Sequence, residues 1–349
     1  MTIILLIAVL LVTVLVHEWG HFVTARKMGM EVEEFGFGIP PRVYSWKRGE
    51  TTYSINALPF GGFVKIKGEN GIEADTALEK QFESKPWYAQ SLVLIAGVVC
   101  NIILAIILFT FSYSIGTPSI EEHGTPTVIE ITKGSPIDRS GIKVGDTITT
   151  IVKEGKKITP LTTASLRTAI NGQKKPLSIT YIHNKETKTI EITPEEHNGT
   201  TAIGVAIEPL TLTKTTLTKA FIQSVEKTFT TTKEIFKTVG DILVKLVSRE
   251  KQEEQLIGPI GLAGAIRSAS NMGISYLLGF TAMISVNLAV LNILPFPALD
   301  GGRLLIVLLE RIFRKKFSKR VVGYIHAAGF LILITLMIGL SVGDIKRLF

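Results

Sequence analysis

The sequence of 349 residues contains one cysteine, Cys100, which lies inside an apolar run. A lone cysteine excludes a disulfide framework and a thiolate metal site. Charged residues make up only 19% of the chain, whereas 46% of its residues are hydrophobic. The net charge is +8, but no basic face with interleaved aromatic residues is present, so we expect no nucleic-acid partner. This composition is too apolar for an ordinary soluble protein and indicates contact with a lipid bilayer.

Four long runs with few or no charges predict membrane spans. Each reaches the roughly 20 residues that cross ~30 Å of hydrocarbon. The first has no basic start and no small-residue cleavage site, so we expect it to be retained rather than removed as a signal peptide. Basic residues follow the first run and crowd the loop between the third and fourth, which predicts that both loops are cytoplasmic. The runs are Ile3–Val23, Leu92–Phe111, Ile274–Leu299 and Val321–Val342.

The segments between these runs differ in composition. Residues 117–208 are polar, Thr-rich and β-branched, as is typical of a soluble domain, and the charge distribution predicts that they lie outside the cell membrane. Residues 214–247 have apolar side chains at helical spacing and predict an amphipathic helix on the membrane surface or against that domain. The predicted division is a first transmembrane helix (1–24), a cytoplasmic loop with a β-hairpin (25–91), a second transmembrane helix (92–114), the soluble domain (115–210), an amphipathic helix and linker (211–273), a third transmembrane segment (274–302), a basic cytoplasmic loop (303–320) and a fourth transmembrane helix (321–343).

The first span ends in "HEWGH", which contains His17, Glu18 and His21. An ionisable group near the middle of a bilayer costs roughly 2.5–3.5 kcal/mol or more, so these residues need a partner that stabilises them. Four residues apart on a helix, the two histidines share a face with Cβ atoms ~5–6 Å apart, a spacing that suits one metal ion. Glu18 lies beside that face, where its carboxylate can accept a proton from water polarised by the ion. The alternative, a chance match on a solvated helix face, is less suited to a membrane span.

A catalytic zinc ion usually has three protein ligands, so a third ligand is required. Asp300, in "NILPFPALDGGR", is the candidate at membrane depth. Pro295 and Pro297 remove backbone donors and break the helix before it. Asp300 could also lie exposed at a helix end. The predicted topology favours the metal site, because the first and third spans both end at the cytoplasmic side and carry the three residues to a similar depth.

The stretch "TTYSINALPFGGFVKIKGE" predicts two short strands around Pro59 and the pair Gly61 and Gly62. Its side chains are apolar for a cytoplasmic loop. Two interpretations remain open from the residues alone. The hairpin packs on the rest of the protein, or it dips into the membrane beside the first span with an open edge that can pair with another chain.

These motifs together resemble those of the site-2 protease family of intramembrane zinc metalloproteases, and specifically its bacterial group. "HEWGH" matches the HExxH motif of the family, and "NILPFPALDGG" matches its NxxPxPxLDGG pattern at every specified position. "AGVVCNIILA" is similar to its weaker GPxxN motif, with Val98 in the place of the proline. "LPFGGFVKIKG" is similar to its membrane-reentrant hairpin, and "GSPIDRSGIKVGDTITTI" resembles the start of a bacterial PDZ domain.

The resemblance implies a polytopic α-helical protein of the bacterial cell membrane, with about four transmembrane helices, a membrane-reentrant β-hairpin and an inserted extracytoplasmic PDZ-like α+β domain. It implies zinc held by His17, His21 and Asp300 towards the cytoplasmic side, with Glu18 as general base. It also implies a substrate-binding role for Asn292, Pro295 and Pro297 and for Gly61 and Gly62 of the hairpin. The implied substrates are single-span membrane proteins, of the anti-sigma-factor or remnant-signal-peptide type, that another protease has already shortened, with the PDZ domain acting as a size filter.

Two other classes of protein use similar features. A metal transporter also places histidine and acidic residues in spans, but it needs more polar residues on several helices to line a path than this chain offers. A non-enzymatic scaffold would carry a PDZ module on inert spans. The presence of both Glu18 and Asp300 favours an enzyme over a scaffold.

Overall fold

The four apolar runs of the sequence are largely helical in the structure. In a computed structural model, residues 2–69, 77–158, 162–183, 186–197, 200–248 and 258–348 are described. The α-helices in this part of the chain are α1 (Thr2–Lys27), α2 (Trp87–Ile115), α3 (Pro136–Arg139), α4 (Thr163–Ile170), α5 (Leu217–Ser248), α6 (Pro259–Met272), α7 (Ile274–Ile293), α8 (Asp300–Phe313) and α9 (Lys319–Leu348). Two single turns of 3₁₀-helix, Leu78–Lys80 and Phe82–Ser84, precede α2.

Four of these helices, α1, α2, α7 and α9, are long and apolar enough to cross a membrane, which agrees with the predicted number of spans. The third differs from the sequence prediction in its extent. Helix α7 ends at Ile293, before the two prolines, and α8 begins at Asp300. Pro295 and Pro297 explain the interruption, because a proline has no backbone N–H for a helix hydrogen bond. Part of the predicted loop 303–320 is therefore helical.

Within the described ranges, the strands form three separate sheets. One contains β1 (Val32–Arg48) and β2 (Thr51–Ile66), and a small one contains β8 (Glu195–His197) and β9 (Thr200–Ala202). The six-stranded sheet has the order β10-β3-β4-β6-β7, with β5 paired to β4. Its strands are β3 (Thr117–Ile131), β4 (Thr147–Lys153), β5 (Lys156–Ile158), β6 (Leu177–His183), β7 (Glu186–Ile192) and β10 (Val205–Thr213).

The six-stranded sheet belongs to a unit with a hydrophobic core of its own. This unit comprises residues 111–220 and 267–278, and the remaining residues form a second unit. Alternating residues of β4 and β6, such as Ile148 and Ile179, are fully buried, as expected for strands with one face on a core. Helix α4 covers the core with Leu166, and its first turn is stabilised by a capping box between Thr162 and Ser165.

In the sheet of β1 and β2, the chain pairs differently from the simple hairpin that the sequence predicted. Phe35 of β1 pairs with both Tyr53 and Val64 of β2, so residues 34–37 lie between the two halves of β2. The two short strands expected around Pro59 therefore flank a third strand instead of pairing with each other. Among the described residues, the half of β2 that contains Val64 has β1 as its strand partner on one side, which leaves its other edge facing away from the sheet.

Helix α5 turns its polar face inwards. Ser224 and Thr228 are fully buried, and the Ser224 hydroxyl lies 2.8 Å from the Thr110 hydroxyl of α2. The large apolar side chains of this helix, including Phe221 and Phe229, are exposed. In water this arrangement would be unfavourable, but beside lipid the apolar face is solvated and the hydroxyl groups bond to a neighbouring helix. The helix is thus suited to contact with the bilayer.

Helices α1 and α2 approach each other closely at Gly20. A Cβ atom at this position would lie 2.6 Å from the Ala96 carbonyl oxygen and 2.9 Å from the Cys100 sulfur. Such distances are shorter than van der Waals contact, so only glycine permits this approach. Because His17 and His21 flank Gly20 on α1, the contact also sets the position of the two histidines relative to α2.

We expect Gly20→Ala to lower the stability of the protein by about 1–3 kcal/mol, the usual cost of inserting a methyl group into a tightly packed contact. Gly339→Ala is the matched control, because a Cβ atom at Gly339 of α9 meets open space. Thermal unfolding of the purified variants in the same detergent compares them. Equal melting temperatures for the two variants would contradict the close packing of α1 on α2.

Candidate metal centre

His17 and His21 of α1 bring their ring nitrogens together with a carboxylate of α8. The two Nε2 atoms are 3.1 Å apart, and Asp300 Oδ2 lies 2.9 Å from His17 Nε2 and 3.2 Å from His21 Nε2. Both histidines are buried, and the Asp300 side chain is 21% exposed. In the part of the chain that the structure describes, these three residues form the group of histidine and acidic side chains suited to hold a metal ion.

The turn between α7 and α8 directs Asp300 towards the histidines. Ala298 has a positive φ of 76°, an uncommon conformation for a residue with a side chain. Gly301 and Gly302 allow the start of α8 to fold against this turn, because a Cβ atom on either would lie 2.2 Å from a carbonyl oxygen of residues 294–296. The sequence "PALDGG" therefore supplies the glycines that the backbone of the turn requires, as well as the carboxylate of Asp300.

The hydrogen bonds of the histidines determine which nitrogen can bind a metal. His21 Nδ1 lies 2.8 Å from the Val93 carbonyl oxygen, an acceptor, so Nδ1 carries the proton and Nε2 is left with a lone pair. His17 Nδ1 lies 3.4 Å from the Asn101 amide group. As oriented, that amide leaves its buried oxygen Oδ1 without a hydrogen-bond partner. Turning the amide by 180° lets Oδ1 accept the His17 Nδ1–H, so that both Nε2 atoms are free to act as ligands.

These three atoms fit a zinc ion. Ligand atoms about 2.0–2.1 Å from a tetrahedral zinc ion lie about 3.3 Å from one another, close to the separations of 2.9 to 3.2 Å found between the two Nε2 atoms and Oδ2. Imidazole and carboxylate are ordinary zinc ligands. Gly97 of α2 leaves room for the rings, because a Cβ atom there would lie 2.5 Å from His21 Nε2.

Glu18 lies between the metal centre and the sheet of β1 and β2. The backbone N–H of Val64 lies near its carboxylate. Gly62 packs against the same part of α1, since a Cβ atom there would lie 3.7 Å from Glu18 Cγ and 3.1 Å from Leu15. Gly61 has a positive φ of 89° and packs near Val14. The half of β2 with the open edge thus lies directly beside Glu18.

Two further contacts fix the turn before Asp300 and the first turn of α8. The Ala298 backbone N–H donates to His326 Nδ1 of α9 over 2.9 Å, which stabilises the unusual conformation of the turn. Arg303, one helical turn after Asp300, forms an ion pair with Glu69, which follows β2. Burial raises the pKa of the Glu69 carboxyl, and the Arg303 charge opposes this rise. The start of α8 is therefore fixed both to α9 and to the end of the β1–β2 sheet.

Comparison with known proteins identifies the family of the chain. The sequence model of peptidase family M50 matches residues 5–336. The chain belongs to peptidase family M50. The zinc metalloprotease RasP of Oceanobacillus iheyensis is 27% identical over 97% of both chains. Relatives in Clostridium acetobutylicum and Fusobacterium nucleatum, both provisionally named zinc metalloproteases, are each 32% identical, over 96% and 100% of this chain and 94% and 100% of their own.

The protein is accordingly a zinc metalloprotease of the site-2 protease family, and its four apolar helices make it a multi-pass membrane protein. This outcome confirms the resemblance stated from the motifs. It also sets aside the metal transporter and the inert scaffold.

The other predicted site residues of this M50 peptidase lie along the interrupted third span. Asn292 is the penultimate residue of α7 and is partly buried, whereas Pro295 is exposed and Pro297 is partly buried in the turn. Among the described residues, no hydrogen bond joins Asn292 to the two histidines or to Asp300. The structure thus brings His17, Glu18, His21, Gly62 and Asp300 together, and Asn292 lies near the end of α7, eight residues before Asp300 in the sequence.

The contacts of Asn101, His326 and Val64 were not predicted from the sequence. The first lies in the stretch "AGVVCNIILA", and its position in an otherwise apolar span was a signal of a buried hydrogen bond. His326, in the last span, was a similar signal. Nothing in the residue type of Val64 indicated its contact, because it is made by the backbone.

We expect Asn101→Leu to weaken zinc binding about 10- to 100-fold, since it removes the acceptor that orients His17. Asn287→Leu is the control, because Asn287 is partly buried on α7 and its amide donates to the Met283 carbonyl of the same helix. Zinc dissociation constants of the two variants are measured by titration with a competing chelator. Equal affinities would show that Asn101 does not act on the ligand.

Proposed function

We propose that this M50 peptidase cuts peptide bonds within the transmembrane segments of single-span membrane proteins, as part of regulated intramembrane proteolysis. The observation that carries the proposal is that two candidate ligands lie on α1, which is apolar enough to cross a membrane, and that the third begins α8, directly after the turn that ends the apolar helix α7. A site built from such helices is accessible to a substrate that itself lies in the bilayer.

In this proposal His17 Nε2, His21 Nε2 and Asp300 Oδ2 hold the zinc ion. When bound, zinc would supply a nucleophile at neutral pH, because it lowers the pKa of water to about 7. Glu18 accepts the proton of the attacking water and transfers it to the leaving amine. Its position next to His17 in sequence, and beside the histidine pair in space, supports this role. Val93 and Asn101 hold the two imidazoles in the tautomer that leaves Nε2 unprotonated.

A transmembrane substrate must lose helical structure before it can be cut, because a helix hides its carbonyl groups in its own hydrogen bonds. We propose that the open edge of β2 near Val64 accepts the unwound segment as an additional strand, which replaces the lost hydrogen bonds. The contact of Gly62 and Val64 with the Glu18 region supports this location. Gly61 and Gly62 would let the substrate backbone approach closely, and Asn292 with Pro295 and Pro297 would line its path from α7.

We also propose that the six-stranded sheet and α4 form a PDZ-like domain that lies outside the cell membrane and restricts access by size. The basic residues around α8 support this orientation through the positive-inside rule. Substrates would then be proteins that another protease has already shortened on the outer side. The metal centre would lie towards the cytoplasmic side of a bacterial plasma membrane.

Exchange of the proposed general base should separate catalysis from metal binding. Glu18→Gln is expected to retain zinc and to lose proteolysis, because an amide cannot accept the proton. Asp300→Ala is expected to lose zinc under mild chelation, because it removes a ligand. Zinc content and cleavage of a single-span substrate are measured on both purified variants.

Glu226→Gln, an exposed substitution on α5, controls for the loss of a carboxylate. Cleavage by Glu18→Gln at the wild-type rate would refute the catalytic assignment, and one retained zinc ion per chain in Asp300→Ala would assign the third ligand to another residue.

Removal of the PDZ-like domain tests its role as a filter. Residues 117–213 are replaced by a flexible linker. Thr117 pairs with Thr213, so these bounds remove the paired ends of β3 and β10 together. The shortened protein is expected to cut truncated substrates and also substrates with intact outer domains, which the full chain rejects. Product masses identify the cuts. A zinc-loaded protein that cuts neither kind of substrate would instead indicate that the domain captures substrates.

A further inference from the structure

A basic cleft lies where the segment before α2 meets the last turns of α8. It has a volume of about 300 Å³, and its wall includes five cationic and two acidic side chains. Trp87 and Val307 contribute its apolar surface. The cationic residues are Lys85, Arg311, Arg314, Lys315 and Lys316, and the acidic residues are Glu83 and Glu310.

The acidic side chains of the cleft are already paired. Glu310 forms an ion pair with Lys316 over 3.0 Å and also accepts a hydrogen bond from the backbone N–H of Phe317. Glu83 forms an ion pair with Lys319 over 3.4 Å. Within the described ranges, no ion pair joins an acidic side chain to any of the other cleft cations, Lys85, Arg311, Arg314 and Lys315. The cleft therefore has an excess of positive charge that a bound anion would neutralise.

The surroundings of the cleft are those of a membrane surface. Trp87 and Tyr88 are exposed at the first turn of the span α2, and these two residue types are enriched at the level of lipid headgroups. Helix α8 exposes Leu305, Ile312 and Phe313, although its other face packs on the protein. Such a helix is suited to lie in the interface with its exposed apolar side chains in lipid. In that position the cationic side chains of the cleft lie at the depth of the lipid headgroups.

A larger cavity of about 400 Å³ adjoins the cleft; apolar surface exceeds polar surface in its wall, although Glu69, Arg303, Lys319 and His326 also line it. The two share Gln90, Val307 and the paired residues Glu83, Glu310 and Lys316. The cavity continues between α8 and α9, where its wall includes Phe82, Ile306, Phe317 and Val322. A cationic opening that leads into an apolar space matches a molecule with an anionic head and a hydrocarbon tail.

We propose that this composite site binds an anionic phospholipid of the bilayer. The phosphate lies in the cleft, where the Arg311 and Arg314 guanidinium groups and the lysine ammonium groups can donate to its oxygens. One acyl chain enters the cavity between α8 and α9. The apolar cavity favours a lipid over free phosphate, which would occupy the cleft alone, and the excess of positive charge favours an anionic over a zwitterionic headgroup.

Binding of fluorescent phosphatidylglycerol to the full-length protein in detergent tests the proposal, with fluorescent phosphatidylcholine as the neutral comparison. The variant Arg311→Gln/Arg314→Gln removes two cations from the cleft. Each cation near a membrane surface contributes about 5-fold to the affinity for an anionic lipid, so the double variant should bind phosphatidylglycerol about 25-fold more weakly. The affinity for phosphatidylcholine should not change.

The control Lys27→Gln/Arg320→Gln removes the same charge from exposed positions outside the cleft wall. It should bind phosphatidylglycerol like the wild type. Thermal unfolding verifies that each variant is folded, and Lys315→Gln, a single exposed substitution, replaces the double variant if that protein does not fold. Equal affinities of the cleft and control variants would overturn the proposal.

Two further binding experiments distinguish a phospholipid from a free anion. Val322→Trp, which fills the cavity, should weaken phosphatidylglycerol binding and leave binding of inorganic phosphate unchanged. Inorganic phosphate should displace the lipid only at concentrations far above that of the lipid. If phosphate competes on equal terms, or if Val322→Trp has no effect, the cleft is an anion site without a lipid tail and the proposal is wrong.

Discussion

The structure depends on the meeting of two imidazole nitrogens and one carboxylate inside segments that are otherwise apolar. Each of these groups alone would be costly at membrane depth. Held within 3.2 Å of one another, they could offer one cation three ligands, and a bound cation would in turn stabilise them. The helix ends, glycine contacts and hydrogen bonds around these three groups hold them close to one another. Zinc, the cofactor of the family, would account for His17, His21 and Asp300 if they bind it as proposed.

Small residues set the distances in this arrangement. Gly20 lets α1 approach α2, Gly97 leaves space for the two rings, and Gly301 with Gly302 lets α8 fold against the turn that precedes it. In a bilayer, helices associate through close packing and hydrogen bonds, because lipid already solvates their apolar surfaces. The buried hydroxyl groups of α5 and the exposed phenylalanines on its other side follow the same rule.

The sequence was sufficient to predict the four apolar helices and the family, and also that two histidines share one helix face, because these depend on hydropathy, motifs and spacing along one helix. His17 and His21 are on one face by the geometry of any α-helix. Their contact with Asp300 was inferred from span ends and family motifs, and the structure has them adjacent. The strand pairing of β1 and β2 was not predictable. Phe35 pairs with both Tyr53 and Val64, and no pattern in the sequence indicates that one strand lies between these two segments. The roles of Val64 and Asn101 were missed for a similar reason, because they depend on backbone contacts and on the orientation of an amide.

Helix α8 connects two features that the sequence shows as unrelated, an aspartate motif and a run of basic residues. Its 14 residues span about 21 Å, with Asp300 in the first turn and the basic cleft at the last. A helix of this length moves as a rigid body, so its position along its own axis sets the distance between Asp300 and the histidines. The Arg303–Glu69 ion pair fixes one end, and a phospholipid bound in the proposed cleft would fix the other. The basic run would then do more than determine topology, because it would anchor the helix whose first residue is the proposed third ligand.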